Sequence, residues 1–167
     1  MSVLAPLVPM RAVKNLFGTQ IPRYEFPEAS ACSFHPGALV VSTSGYIDEC
    51  STDPALILGV ATKHGQAGTA SGDKRQVIEM AMPGILFMGN LYDATSDAVT
   101  AVTDLLVAYG VLKHVSNGLW FVDKDETTND RVVVWDFWLQ DKDKIGDVGG
   151  RVIFAFDPHY CQGLAVD

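Results

Sequence analysis

At 167 residues, 48% of them hydrophobic, the chain is long enough for one well-formed core and short for two full domains. Twenty acidic side chains against twelve basic leave a formal charge of −8 and no basic stripe, so direct nucleic-acid binding is disfavoured and the acidity reads as solubility. Three widely spread cysteines, Cys32, Cys50 and Cys161, argue against a disulfide-stapled secreted scaffold and for core thiols in a chain assembled in a reducing cytoplasm.

The opening MSVLAPLVPM is apolar, but it has no positive leader and is broken by Pro6 and Pro9, which makes a poor signal peptide and a worse membrane span. No other apolar run approaches bilayer length, so no membrane partner is expected. Residues 1–30 carry prolines at 6, 9, 22 and 27 among Val3, Leu4, Leu7, Val8, Ile21, Tyr24 and Phe26. That spacing forbids a long helix, yet the segment is too apolar for a solvated tail. It reads as an extended N-terminal arm that either packs along its own domain or adds a strand to a neighbouring subunit or partner.

From 31 to 167 the pattern is that of a single β-rich domain. Phe34 to Ala61 holds two apolar runs, Ala38 to Val41 and Leu56 to Val60, entered through Pro36-Gly37 and Asp53-Pro54. Proline fixes φ and glycine accepts positive φ, so both pairs favour turns ahead of buried strands. KHGQAGTASGDKR then reads as a surface loop; its glycines lack the spacing of a phosphate loop. QVIEMAM (76–82) alternates as a strand would, and Pro83-Gly84 turns the chain into Ile85 to Met88.

Between 96 and 109 a cap at Ser96 or Asp97, apolar residues at Val99, Val102, Leu105, Leu106 and Tyr109, and a stop at Gly110 predict one short helix. VLKHV and LWFVD flank Asn117-Gly118, the signature of a tight hairpin. RVVVWDFWLQ is a long strand, apolar on both faces and therefore central or in contact with another molecule along Val132, Val134 and Trp138. RVIFAFD supplies the last strong strand. The fold class expected is mainly β, a small β-barrel or β-sandwich, with the stretch from about 96 onward able to form an added lobe.

Chemistry is sparse. Cys32-x-x-His35 and His159-x-Cys161 would supply four zinc ligands if they met, but neither pair has a finger context, and unrelated core and surface residues are the better reading. Asp141-x-Asp143 opens like a calcium loop, but Ile145 and Val152 stand where oxygen ligands belong. No nucleophile elbow is present, and Asp48, Glu49, Asp123, Asp125, Glu126, Asp130 and Asp136 have no flanking signature to pair them as acid and base. No enzyme, cofactor or metal is expected. Trp120, Trp135 and Trp138 lie with five other aromatics in the C-terminal third, as core, interface or sugar-stacking platform.

The segments Phe34-His35-Pro36-Gly37-Ala38-Leu39-Val40-Val41, Leu56-Ile57-Leu58-Gly59-Val60-Ala61 and Met82-Pro83-Gly84-Ile85-Leu86-Phe87 resemble the head-decoration, or cement, proteins of tailed bacteriophages. The resemblance covers Phe34 to Leu91, and 117–123 and 146–154 are similar to longer members of marine-type phages. It implies a capsid-stabilising protein of the virion surface, assembled in the host cytoplasm, that binds junctions between major capsid protein subunits as a homo-oligomer, trimer ahead of dimer. Val3, Leu4, Leu7 and Val8 are the first candidates for the capsid or inter-subunit contact; Val132, Val134 and Trp138 are the second. The alternative is a carbohydrate-binding β module on a virion or cell surface, with a tryptophan as platform.

Overall fold

The computed structural model describes residues 5–93, 98–114, 117–140 and 143–164, and in them the chain is mainly β, with eleven strands and only single turns of 3-10 helix. β1 (Arg11–Asn15) and β2 (Arg23–Pro27) come from the proline-rich segment. β3 (Leu39–Thr43) and β4 (Tyr46–Glu49) form a hairpin whose two-residue turn, Ser44-Gly45, has both φ angles positive, at 53° and 85°. Such a turn matches the natural twist of the paired strands. β5 (Gly59–Ala61), β6 (Arg75–Met80) and β7 (Ile85–Tyr92) follow, then β8 (Ala108–Lys113), β9 (Trp120–Asp123), β10 (Val132–Phe137) and β11 (Arg151–Phe156).

Two β layers result. The first runs β2-β6-β5-β3-β4 and curls until its ends meet: Glu28 and Ile47 form a parallel bridge, and the Ala29 N–H donates to the Ile47 carbonyl at 2.9 Å. The second runs β1-β7-β11-β10-β8-β9, and β9 pairs back onto β7 in parallel at Leu91↔Val122 and Tyr92↔Asp123. β7, β11, β10, β8 and β9 thereby close into a five-stranded barrel. One edge of β7 carries β11, while β1 occupies the other edge along Ile85 to Met88, ahead of β9. With neighbours on both sides, β7 buries seven of its eight residues.

The barrel interior is aromatic. Phe87 stacks on Phe154 at 6.1 Å between ring centroids and meets Phe156 edge-on at 4.8 Å, and Trp120 is fully buried. Offset and edge-on contacts of this kind add to the gain from area burial alone. The same apolar cluster continues into the curled sheet through Leu39, Ile47, Ile57 and Ile78, so one core serves both layers.

Polar groups stitch the layers. The Arg131 guanidinium donates to the carbonyls of Pro54 at 2.6 Å and Asp53 at 3.1 Å and lies 3.9 Å from the Tyr160 ring centre. Glu49, on β4, accepts from the Trp120 indole at 3.0 Å and from the Lys113 ammonium. Gln162 exchanges hydrogen bonds with the Ser42 backbone, donating at 2.6 Å and accepting at 2.7 Å. The leader, which had two alternatives, packs along its own molecule from residue 11: β1 lies on β7 and β2 on β6.

The helix expected over 96–109 is corrected. Ser96 and Asp97 lie outside the described residues; beyond them the chain makes one 3-10 turn at Val102–Asp104 and becomes β8 at Ala108. Two forces outweigh the helical spacing. Asp104, almost fully buried, accepts from the Ala101 N–H at 2.7 Å and from the Tyr109 hydroxyl at 2.9 Å, folding the segment around its carboxylate. Leu106 then takes a positive φ of 61° and donates its N–H to the Val134 carbonyl, delivering the chain into the barrel. A hairpin does join β8 to β9, with Gly118 at φ 68°, but the tight two-residue turn expected at Asn117-Gly118 is corrected: Lys113 pairs with Trp120 and the His114 N–H donates to the Leu119 carbonyl at 2.8 Å, which leaves four residues in the loop; Val115 and Ser116 lie outside the described residues.

Candidate functional site

Val3 and Leu4 lie outside the described residues. Leu7 is exposed, whereas Val8 is half-buried and tied down by its N–H, which donates to the Asn90 side chain at 2.9 Å. Val132 and Val134 are corrected: both are 0% exposed, inside the barrel, and offer no contact to another molecule. The physical reason is a bulge. Register shifts between Val134 and Asp136, so Val132 and Val134 point inward with Phe137, while Trp135 and Asp136 both face out. Trp138 is half-buried, 6.0 Å beneath the Arg11 guanidinium, and its buried indole N–H has no partner among the described residues.

Among the described residues, seven of the thirteen exposed large apolar side chains lie in two stretches. At the β6–β7 turn the Leu16 N–H donates to the Gly84 carbonyl at 2.8 Å, and the Phe17 ring lies where a side chain at Gly84 would be, with Met82 beside it in the same turn. Gly84 is at φ 81°, a conformation that suits glycine and leaves room for the ring. One face of Phe17 thus rests on backbone while the residue remains 83% exposed. On the barrel, the Leu106 N–H bonds the Val134 carbonyl, one residue before Trp135; Leu106 is 74% exposed and Trp135 49%, with Val102 and Leu105 exposed on the adjoining turn. Exposing large apolar groups in clusters on a rigid frame has a standing cost in water, which is offset when a partner covers them.

The cysteines are inert. Burial, with the charge of Asp48, pushes the Cys32 thiol up to about 12, and burial with Asp157 does the same to Cys161; Cys50 moves in the same direction through burial beside Glu49 and Asp48. Each thiol donates to a carbonyl oxygen, of Ile47, Asp157 and Leu56 respectively. Protonated, buried sulfur is neither a nucleophile nor a metal ligand. His35 is exposed and packs edge-on against His64 at 5.1 Å, and His159 is exposed and pairs with Asp157 at 2.8 Å. Among the described residues no group of three or more His, Cys, Asp or Glu can hold a metal ion, so Cys32, His35, His159 and Cys161 do not form a set.

Of the seven acids singled out in sequence, Asp123, Asp125 and Glu126 meet Asp53 at the mouth of β8 and β9. Burial pushes the Asp53 carboxyl above the usual carboxylate range, opposed by the Val111 N–H. Burial likewise raises Asp123, opposed by the Asp125 N–H and assisted by the charges of Asp125, Asp53 and Glu126. Glu126 is held low by the N–H groups of Asn129 and Thr128. Asp53, Asp123 and Glu126 each accept a backbone N–H bond, an arrangement that shapes the loops. Asp48 and Asp136 are exposed, Glu49 ties β4 to the barrel, and Asp143 pairs with Arg151 in the interior.

Sequence reading missed Phe17 and Leu106. Phe17 sits between Leu16 and Gly18-Thr19, an aromatic in a polar turn, which is the one local signal that it stands clear of the core. A scan against models of known protein families finds no match, and a search of curated proteins finds none either.

Proposed function

We propose that the protein is a non-enzymatic capsid decoration protein that binds the outer surface of a phage head and stabilises junctions between major capsid protein subunits. The observation that carries this reading is the pair of solvent-facing apolar clusters, Leu16-Phe17-Met82 and Val102-Leu105-Leu106-Trp135, held on a closed barrel and its neighbouring sheet. The strand likeness to cement proteins from Phe34 to Leu91 supplies the identity of the partner. A standard interface buries about 1,600 Å², a little over half of it apolar, for a gross gain of about 20 kcal/mol against association costs of about 4–15. Two clusters on one frame let a copy touch two capsid subunits, and a trimer multiplies the grip through avidity.

The test is co-sedimentation with empty heads together with the mass in solution, for the wild type and for Phe17→Ser combined with Leu106→Ser. Wild type is expected to saturate the heads and the variant to lose most of its occupancy with an unchanged circular dichroism spectrum. Equal occupancy of both removes the clusters from the mechanism, and no binding by either removes the capsid reading.

Trp135 favours the second reading, a carbohydrate-binding module, because a half-exposed indole offers the flat face on which a sugar stacks. Saccharide binding on a glycan array, lost in Trp135→Ala, would favour it over the first.

A further inference from the structure

The leader and the curled sheet enclose a cleft of about 600 Å³, within the range of small-molecule sites. Val8, Pro9, Pro36 and Val77 give it an apolar lining, and three cations, Arg11, Arg23 and Lys63, border it. That is a concentration of positive charge on a chain with only twelve basic residues and a net charge of −8. The one carboxylate in the lining is already engaged. Glu79 accepts from Arg23 with one oxygen, at 2.6 and 3.1 Å, and from the Ala12 N–H with the other, at 2.6 Å.

The Lys63 ammonium has no hydrogen-bond or ion-pair partner among the described residues, and Arg11 reaches only the face of Trp138, 6.0 Å away. Arg23 keeps donors free beyond Glu79, since a guanidinium has five, and its side chain is 55% exposed. The walls are fixed in place. Gly37, at φ 81°, packs so closely on Pro9 and Met10 that a side chain there would come within 2.5 Å of the Met10 nitrogen. Apolar walls bordered by a few cations match an apolar body that carries an anionic head.

We propose that this cleft binds an amphiphilic organic anion, its hydrocarbon part against Val8, Pro9, Pro36 and Val77 and its carboxylate or phosphate head toward the bordering cations Arg11 and Lys63. The site is separate from both apolar clusters and does not depend on a capsid partner.

The experiment titrates the full-length protein with sodium hexanoate, hexyl phosphate, hexanol and hexylammonium, following backbone amides by NMR. The two anions are expected to give saturable shifts confined to residues 8–11, 61–63 and their neighbours, with about millimolar affinity for ligands of so few atoms. Hexanol and hexylammonium are expected to bind about tenfold more weakly or not at all, the difference a charge-assisted hydrogen bond makes. Stronger binding of hexyl phosphate than of hexanoate assigns the head as phosphate, and the reverse as carboxylate. Lys63→Ala and Arg11→Ala, both on exposed side chains, should each weaken anion binding severalfold while leaving the melting temperature in place. Equal shifts from all four probes, shifts elsewhere on the surface, or unchanged binding in both variants overturn the proposal.

Discussion

Glu79→Gln tests what holds the two β layers together. Glu79 stands on β6 of the curled sheet, almost fully buried, yet its carboxylate reaches the Ala12 N–H on β1 of the barrel layer and Arg23 on β2. Glutamine keeps the volume but replaces one acceptor oxygen with a donor. Either the Ala12 N–H or Arg23 then faces an NH2 group. Leaving a buried donor unpaired costs about 1–3 kcal/mol. The Arg23 pair contributes less, about 0–1 kcal/mol, because its guanidinium side chain is 55% exposed and screened by water. The expected loss with the amide turned to Ala12 is about 1–3 kcal/mol, read from guanidinium unfolding, and a fall in melting temperature of about 2–12 °C for a chain of this size. Arg23→Ala serves as the comparison and should lose under about 1 kcal/mol. The reasoning fails if Glu79→Gln unfolds at the wild-type midpoint, or if Arg23→Ala costs as much as Glu79→Gln, since the bond to β1 would then contribute nothing.

Cys32, Cys50 and Cys161 should resist a thiol reagent at pH 8 in the folded protein and react fully in guanidinium; rapid native labelling would contradict their burial. Their folded-state values lie above the ordinary 9.0, so the stability they contribute is complete below about 9 and is lost as pH rises toward 12, visible as a falling denaturation midpoint. Asp123 is also raised, so ionising it costs folding stability as pH climbs from the ordinary 3.8 through its folded value. Asp123→Asn should therefore melt higher than wild type at pH 7 and lose that advantage as the pH approaches 3; a lower melting point at pH 7 would show that the charge is needed.

What the sequence reveals of this fold is its local part. Gly118, at positive φ, marks the loop between β8 and β9, and Pro36-Gly37 and Pro83-Gly84 mark the entries to β3 and β7, because turn chemistry resides in two or three adjacent residues. The strand RVIFAFD is β11 for the same local reason, a run of β-branched and aromatic side chains. What escapes is non-local. The parallel β7–β9 pairing leaves no trace in either strand, and the helical spacing at 99–109 gives way to one buried aspartate and one backbone bond to β10. The bulge at Trp135 changes the side taken by the residues after it, so Asp136 and Trp138 part from Val132 and Val134, with which strict alternation grouped them on one face. Glu79, Arg131 and Arg151 are invisible as interior residues in the sequence, since their burial depends on partners that the chain brings from 8 to 78 positions away.

β11 has a further consequence for how the molecule assembles. It is the latest strand in the sequence, yet it sits between β7 and β10, and neither can complete its ladder on that side until β11 arrives. The ring thus closes only when β11 joins two strands that precede it. The pairing of β11 with β7, from Arg151↔Asn90 to Phe154↔Phe87, joins residues 61 to 67 positions apart, and such long-range pairings are slow to form because chain entropy is lost before the contacts compensate for it. During that interval Phe87 and Val134 lie uncovered. The molecule is most prone to stick to its neighbours while it is still folding.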